Sequence, residues 1–159
     1  GLLATDGVLT FSVFLGDKYT SAKSDKAVLQ PGRWQHVAGV FDGSEVRVYV
    51  DGLLVARKAG KGARKANELP LLVGADPDGN GAPTSFFAGL VDDVRLSKVA
   101  RYQAEFVPAG NHAADAETVL LLPCDLDFGP WTPDASGQGR HARRRGTAHC
   151  TLEQRPGVR

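Results

Sequence analysis

The sequence predicts an all-β protein, an antiparallel sandwich of two packed sheets. Three observations carry that prediction. Apolar and polar residues alternate at period 2 through one stretch after another, the pattern of strands with one face in a core. Nineteen glycines and nine prolines supply many turns. No apolar pattern of helical period lasts longer than two turns.

The elements follow in chain order. In "VLTFSVF" Leu9, Phe11 and Val13 share one face, and Thr10 and Ser12 the other. A Pro-Gly turn at Pro31 leads into "GRWQHVAGVF", with Trp34, His36, Ala38 and Val40 on one side. Val37 and Phe41 fall on the other, so this strand is expected to be covered on both faces. "EVRVYVDG" points Val46, Val48 and Val50 inward and Glu45, Arg47 and Tyr49 outward. Asp51-Gly52 is a type I′ hairpin signal, after which "LLVARK" pairs back. Residues 57–67 form a basic loop, "LPLLVGA" a short buried strand, and "DPDGNGAPTS" a long turn. "FFAGLVDDVRLS" reads as a strand with Leu90, Asp92, Val94 and Leu96 on one face. "KVARY" is long enough for one helical turn. Beyond residue 108 come a Pro/Gly/Ala linker, the apolar strand "VLLLPCDL", a turn-rich stretch and the basic "RHARRRGTAHC" with room for a last short strand.

The bulk numbers exclude some classes. A net charge of +1 gives no global field for nucleic acid. No run approaches the roughly 20 apolar residues of a membrane span. The chain begins at Gly1 without a Met or a signal-like stretch and reads as a processed or excised piece. Cys124 and Cys150 are too few and too far apart for a zinc motif. A disulfide between them and two free buried thiols are both open.

Three stretches share one resemblance: "GRWQHVAGVFDGSEVRVYVDG" at 32–52, "FFAGLVDDVRLSKVARY" at 86–102 and "LLLPCDLDFGPWTPDASGQGRHA" at 120–142. Together they resemble the laminin-G-like, concanavalin A-like lectin/glucanase superfamily in its bacterial extracellular form. The resemblance implies a jelly-roll of two antiparallel sheets and non-catalytic binding of glycans or matrix proteins, often with one calcium ion. It also implies a secreted, periplasmic or cell-surface location, next to other domains of a larger chain. Two departures stand out. The family's first strands, about 40 residues by the usual size of such sandwiches, are expected before Gly1, so the sandwich is read as lacking its N-terminal strands. The third stretch resembles what usually opens such a domain, yet here it closes the chain. The domain reading is therefore a truncated sandwich over 1–107 and a linker with a C-terminal strand segment over 108–150. That segment either completes the sandwich or begins a second repeat. A frayed tail follows over 151–159.

Several residues are candidates for a role. Asp76, Asp78 and Asn80 in "DPDGNG" follow the first half of an EF-hand loop. The twelfth position from Asp76 is Phe87, not Glu, which removes the EF-hand itself. What remains is a calcium loop of another kind or a turn that caps its own backbone. Asp92 shares a face with apolar neighbours and needs a partner, either hydrogen-bonding or metallic. Trp34 and His36 read as core residues. Trp131, in the turn-rich segment, reads first as packing over the sandwich end, and it is a better candidate than Trp34 for stacking on a sugar ring. The basic stretches Arg57 to Lys65 and Arg140 to Arg145 read as solvated surface, with polyanion binding as the alternative. The resembled glucanases set closely spaced acids along one strand, whereas Asp92 and Asp93 alternate across theirs, so catalysis is not expected here.

Overall fold

The structure, a computed structural model, describes residues 1–151. The tail read at 151–159 lies outside the described residues from 152 on. The chain divides into two compact units, residues 1–88 with 100–108, and residues 89–99 with 109 onward. All assigned elements are strands, and no helix occurs among the described residues, so "KVARY" makes no helical turn.

The first unit is an antiparallel sandwich of two three-stranded sheets. One sheet holds β1 (Leu2–Thr5), β2 (Val8–Leu15) and β3 (Lys18–Lys23), in that order. β1 and β3 lack clean alternation but are delivered by two-residue turns. Asp6 and Gly7 both take positive φ, as a type I′ turn needs, and Gly16-Asp17 closes Leu15 onto Lys18. The other sheet runs β4 (Val37–Phe41), β5 (Glu45–Val50), β6 (Leu53–Ala59), joined at its second hairpin by the expected turn at Asp51 (φ 50°) and Gly52 (φ 82°). β6 reaches Ala59, so Arg57 and Lys58, read as loop, belong to a strand.

The inner faces meet as the alternation requires. Leu9, Val13, Leu15 and Ala22 pack with Val46, Val48 and Val50, flanked by Phe11, Phe41 and Val55. Full burial of such a side chain is worth about 1.5–3 kcal/mol. Gly39 in β4 is fitted to this contact, because a Cβ there would lie 2.4 Å from the Phe11 ring. The β4–β5 turn is tied by Asp42, whose Oδ1 accepts from the amides of Ser44 and Glu45 (both 2.9 Å) and from the Ser44 hydroxyl (2.8 Å). Those bonds, led by the Ser44 amide and with help from Arg47, hold the Asp42 carboxyl well below the usual carboxylate range.

The far face of the second sheet is covered too. Tyr49 points away from the core, as read, yet it is 0% exposed. Residues 100–108 cross it as a strap: Tyr102 and Phe106 stack on each other at 3.6 Å and both meet the Tyr49 ring edge-on. Alternation places a residue on a face but is silent on what a distant segment lays over that face.

Two expected strands do not form as read. "LPLLVGA" is not a strand, and Leu71 and Val73 are exposed, since no described strand pairs with it. "FFAGLVDDVRLS" is extended only as β9 (Val94–Ser97), because Asp93 adopts φ 51° and breaks the run before it. Leu90 and Val91 are accordingly exposed. Between these stretches β7 (Asp76–Pro77) pairs with β8 (Pro83–Thr84) across the "DPDGNG" turn.

In the second unit β9 pairs antiparallel with β10 (Thr118–Leu122), with a register shift between Thr118 and Leu120. Leu120, Leu121 and Leu122 are all buried, so both faces of β10 are covered. A short hairpin of β11 (Trp131–Thr132) and β12 (Ala142–Arg143) completes the unit, and supplies the last strand expected in the basic stretch.

Candidate functional site

His36 and Trp34 are both half-buried. The His36 ring lies edge-on to Tyr102 and Phe106, at 6.2 and 5.5 Å, and its amide donates to Asp51 Oδ1 at 2.9 Å. His36 thus packs against the strap. Asp92 is half-buried, and its neighbour Asp93 accepts from the His112 amide at 2.6 Å.

In the "DPDGNG" turn Asp78 Oδ1 accepts from the amides of Asn80 and Ala82, both at 2.8 Å. The Asp78 amide donates to Ala82 O, and Gly81 donates to Asp78 O. The Asp76 carbonyl accepts from the Thr84 hydroxyl at 3.0 Å. Calcium takes six to eight oxygens, and the central carboxylate of this set already spends one oxygen on the loop's own amides. Among the described residues no group of three or more His, Cys, Asp or Glu gathers to hold a metal ion.

Cys124 and Cys150 are free thiols, both half-buried, with Cys150 Sγ 3.7 Å from the Cys124 carbonyl oxygen. Burial, with the nearby Asp92 charge, pushes the Cys124 thiol up to about 11. It is therefore a poor nucleophile at neutral pH.

The structure gathers more around Trp131 than around any other candidate. Trp131 stands opposite Arg143 in the β11–β12 hairpin. Period 2 then sets Trp131 and Pro133 on the same ribbon face as His141 and Arg143. A tight turn, in which the Trp131 amide donates to Phe128 O, adds Phe128. Phe128, Trp131, Pro133 and His141 line an open concavity of about 440 Å³, and Trp131 remains 47% exposed.

The platform is held from behind. Arg144 pairs with Asp127 at 2.7 Å and donates to the Trp131 carbonyl at 3.0 Å, and its amide donates to Pro130 O. The nine-residue loop between β11 and β12 is organised by Asp134, which is only 8% exposed. Its carboxylate accepts from the amides of Leu121 (3.0 Å), Ser136 (2.9 Å) and Arg140 (2.9 Å) and from the Ser136 hydroxyl (2.8 Å). Burial alone would raise this carboxyl, but the four hydrogen bonds outweigh it and hold it well below the usual range. The Asp134 amide donates to His141 Nδ1 at 3.1 Å, which leaves the ring proton on Nε2.

Sequence reasoning singled out Trp131, and Arg143 only as one of the basic stretch Arg140 to Arg145 with its polyanion alternative, but not Phe128, Pro133, His141 or Asp134. The available signal was the pair Trp131-x-Pro133 and His141-x-Arg143 on either side of an Asp-Ala-Ser-Gly turn, a hairpin too short for alternation to stand out.

No curated protein matches the chain, and no solved structure does either. A family model does, that of the laminin G type described as the concanavalin A-like lectin/glucanases superfamily, and it spans residues 2–106. The sandwich lies within that span and the Trp131 platform lies beyond it. With the match covering more than half of its length and an antiparallel sandwich beneath it, the chain belongs to the concanavalin A-like lectin/glucanases superfamily, a family of carbohydrate- and protein-binding modules.

Proposed function

We propose that this chain is a non-catalytic binding and adhesion module that works outside the cytoplasm and takes a glycan on the Trp131 face. The exposed indole carries this reading, set in a concavity with Phe128, Pro133 and His141. The apolar face of a pyranose lies well on such a ring, and a pocket of this volume is in the range that holds a small ligand. The hairpin is fixed by Arg144 and Asp134 before any ligand arrives, which lowers the ordering cost of binding. Membership of the superfamily over residues 2–106 supports a carbohydrate- or protein-binding role for the chain as a whole.

A screen of immobilised oligosaccharides tests this reading. Binding is expected for the parent chain and a loss of about tenfold or more for Trp131→Ala, with the melting temperature unchanged because the side chain is exposed. The alternative is a structural spacer domain in a large surface protein, and a parent chain that binds no glycan would favour it.

The loop at Asp76, Asp78 and Asn80 serves the module as a self-capped turn. Adding millimolar calcium is therefore expected to move Tm by no more than about 1 °C, since an ion that does not bind the fold cannot stabilise it. A rise of several degrees, lost in Asp78→Ala, would restore calcium as the cofactor.

A further inference from the structure

Between Asp127 and Arg145 four arginines stand against two aspartates. Both aspartates are already engaged. Asp127 pairs with Arg144, and Asp134 accepts from three amides and a hydroxyl. Arg144 is spent behind the hairpin on Asp127, Thr132 and the Trp131 carbonyl. Arg140 donates to the Val119 carbonyl.

Arg143 differs from these. It is exposed, on the platform side of the ribbon, with its guanidinium carbon 6.0 Å from the Trp131 ring centroid. That distance is at the limit of a cation–π contact, which steers the group across the indole face. No carboxylate pairs with it among the described residues. Beside it, His141 carries its proton on Nε2, because Nδ1 accepts from the Asp134 amide. The platform thus presents apolar ring faces together with a guanidinium whose charge nothing in the hairpin neutralises.

We infer that the Trp131 face is selective for an acidic sugar, a uronic acid, and that Arg143 reads its carboxylate. The inference rests on the glycan reading above. The pyranose ring lies on the indole, and the planar carboxylate accepts from the guanidinium fork, a geometry that suits arginine better than lysine. His141 Nε2–H adds a donor at the wall. A neutral sugar keeps the stacking contact and leaves the guanidinium unanswered.

The test is titration of the intact chain at fixed ionic strength, followed by tryptophan fluorescence. The ligands are a short oligouronide, the same oligosaccharide with its carboxyls reduced to alcohols, and a single-stranded oligonucleotide of equal charge. The oligouronide is expected to bind about tenfold tighter than its neutral counterpart, the size of one charge-assisted hydrogen bond. Arg143→Gln is expected to bring the acidic ligand down to the neutral level without weakening the neutral one. Arg143→Lys is expected to recover only part of the difference. Lys65→Gln removes the same charge from an exposed loop of the first unit and is expected to change neither. Equal affinity of the parent for the two sugars would overturn the acid selectivity while leaving the glycan reading intact. An acidic preference that survives Arg143→Gln would overturn the role of Arg143. Tighter binding of the oligonucleotide than of the oligouronide would overturn the sugar as ligand, and no sugar binding at all would remove the glycan reading and this inference with it.

Discussion

Replacing Asp134 with Ala is expected to cost about 3 kcal/mol, roughly 10 °C in Tm for a chain of this size. The reason is the number of donors that converge on one buried carboxylate. The amides of Leu121, Ser136 and Arg140 and the Ser136 hydroxyl all lose their acceptor together. A buried donor left without a partner costs about 1–3 kcal/mol, and water reaches only part of this site. Asn at this position is expected to fall between the two, because it keeps one acceptor oxygen and turns an amide toward donors. The effect depends on pH with a definite sign. The folded chain holds the Asp134 carboxyl well below its ordinary value, so the unfolded chain binds that proton more readily. The stabilisation is complete above about pH 4, where an unfolded Asp titrates, and is lost as pH falls toward the folded value. Urea unfolding of parent and Asp134→Ala should therefore show a gap that is widest near pH 6 and narrows toward pH 2. A gap of constant width would mean that the carboxylate charge is not what the amides hold.

Gly52→Ala is expected to be the other severe change, at about 3 kcal/mol or more. Two penalties add. The residue sits at φ 82°, where an L side chain costs about 1–2 kcal/mol. A Cβ there would also lie 1.7 Å from the Phe106 carbonyl oxygen, a backbone atom that cannot turn aside. The Phe106 amide, which donates to the Gly52 carbonyl at 3.1 Å, would have to move away. Tyr49 would then lose the rings that cover it, each aromatic contact being worth about 0.5–1.5 kcal/mol beyond burial. Gly16→Ala separates the two penalties, since Gly16 has φ 65° and open space where its Cβ would go. It should cost only the conformational part. Equal losses for the two variants in guanidinium unfolding would show that the strap contributes nothing.

The sandwich was largely legible in the sequence because its strands are half-buried hairpins. Leu9 to Leu15 and Val46 to Val50 announce their inner faces by alternation, and Asp51-Gly52 announces the turn between β5 and β6. The failures share a cause. "LPLLVGA" has strand composition, but a strand also needs an edge to pair with, and composition does not report one. Asp93 ends the run before β9 by a backbone conformation that its residue type only permits. Tyr49 is buried by a segment more than fifty residues away in the chain, beyond the reach of any local period. The platform was legible only in its most conspicuous member. Trp131 stands out alone, whereas His141 and Arg143 join it through a nine-residue loop whose closure depends on the bonds of Asp134.

The path of the strap bears on how the chain is made. Residues 89–99 belong to one unit, 100–108 to the other, and 109 onward to the first of these again. The two units are thus interleaved along the polypeptide, and no single cut yields both whole. A chain stopped after residue 108 would contain β9 without β10, its strand partner among the described residues. The same holds on the ribosome. Val94 to Ser97 emerge before their partner, which begins at Thr118. At about 5–20 residues per second the nascent β9 stays unpaired for one to several seconds, while the first sandwich, its six strands complete by Ala59, is free to fold. Synthesis therefore imposes an order, in which the sandwich and its strap precede the hairpin that carries Trp131.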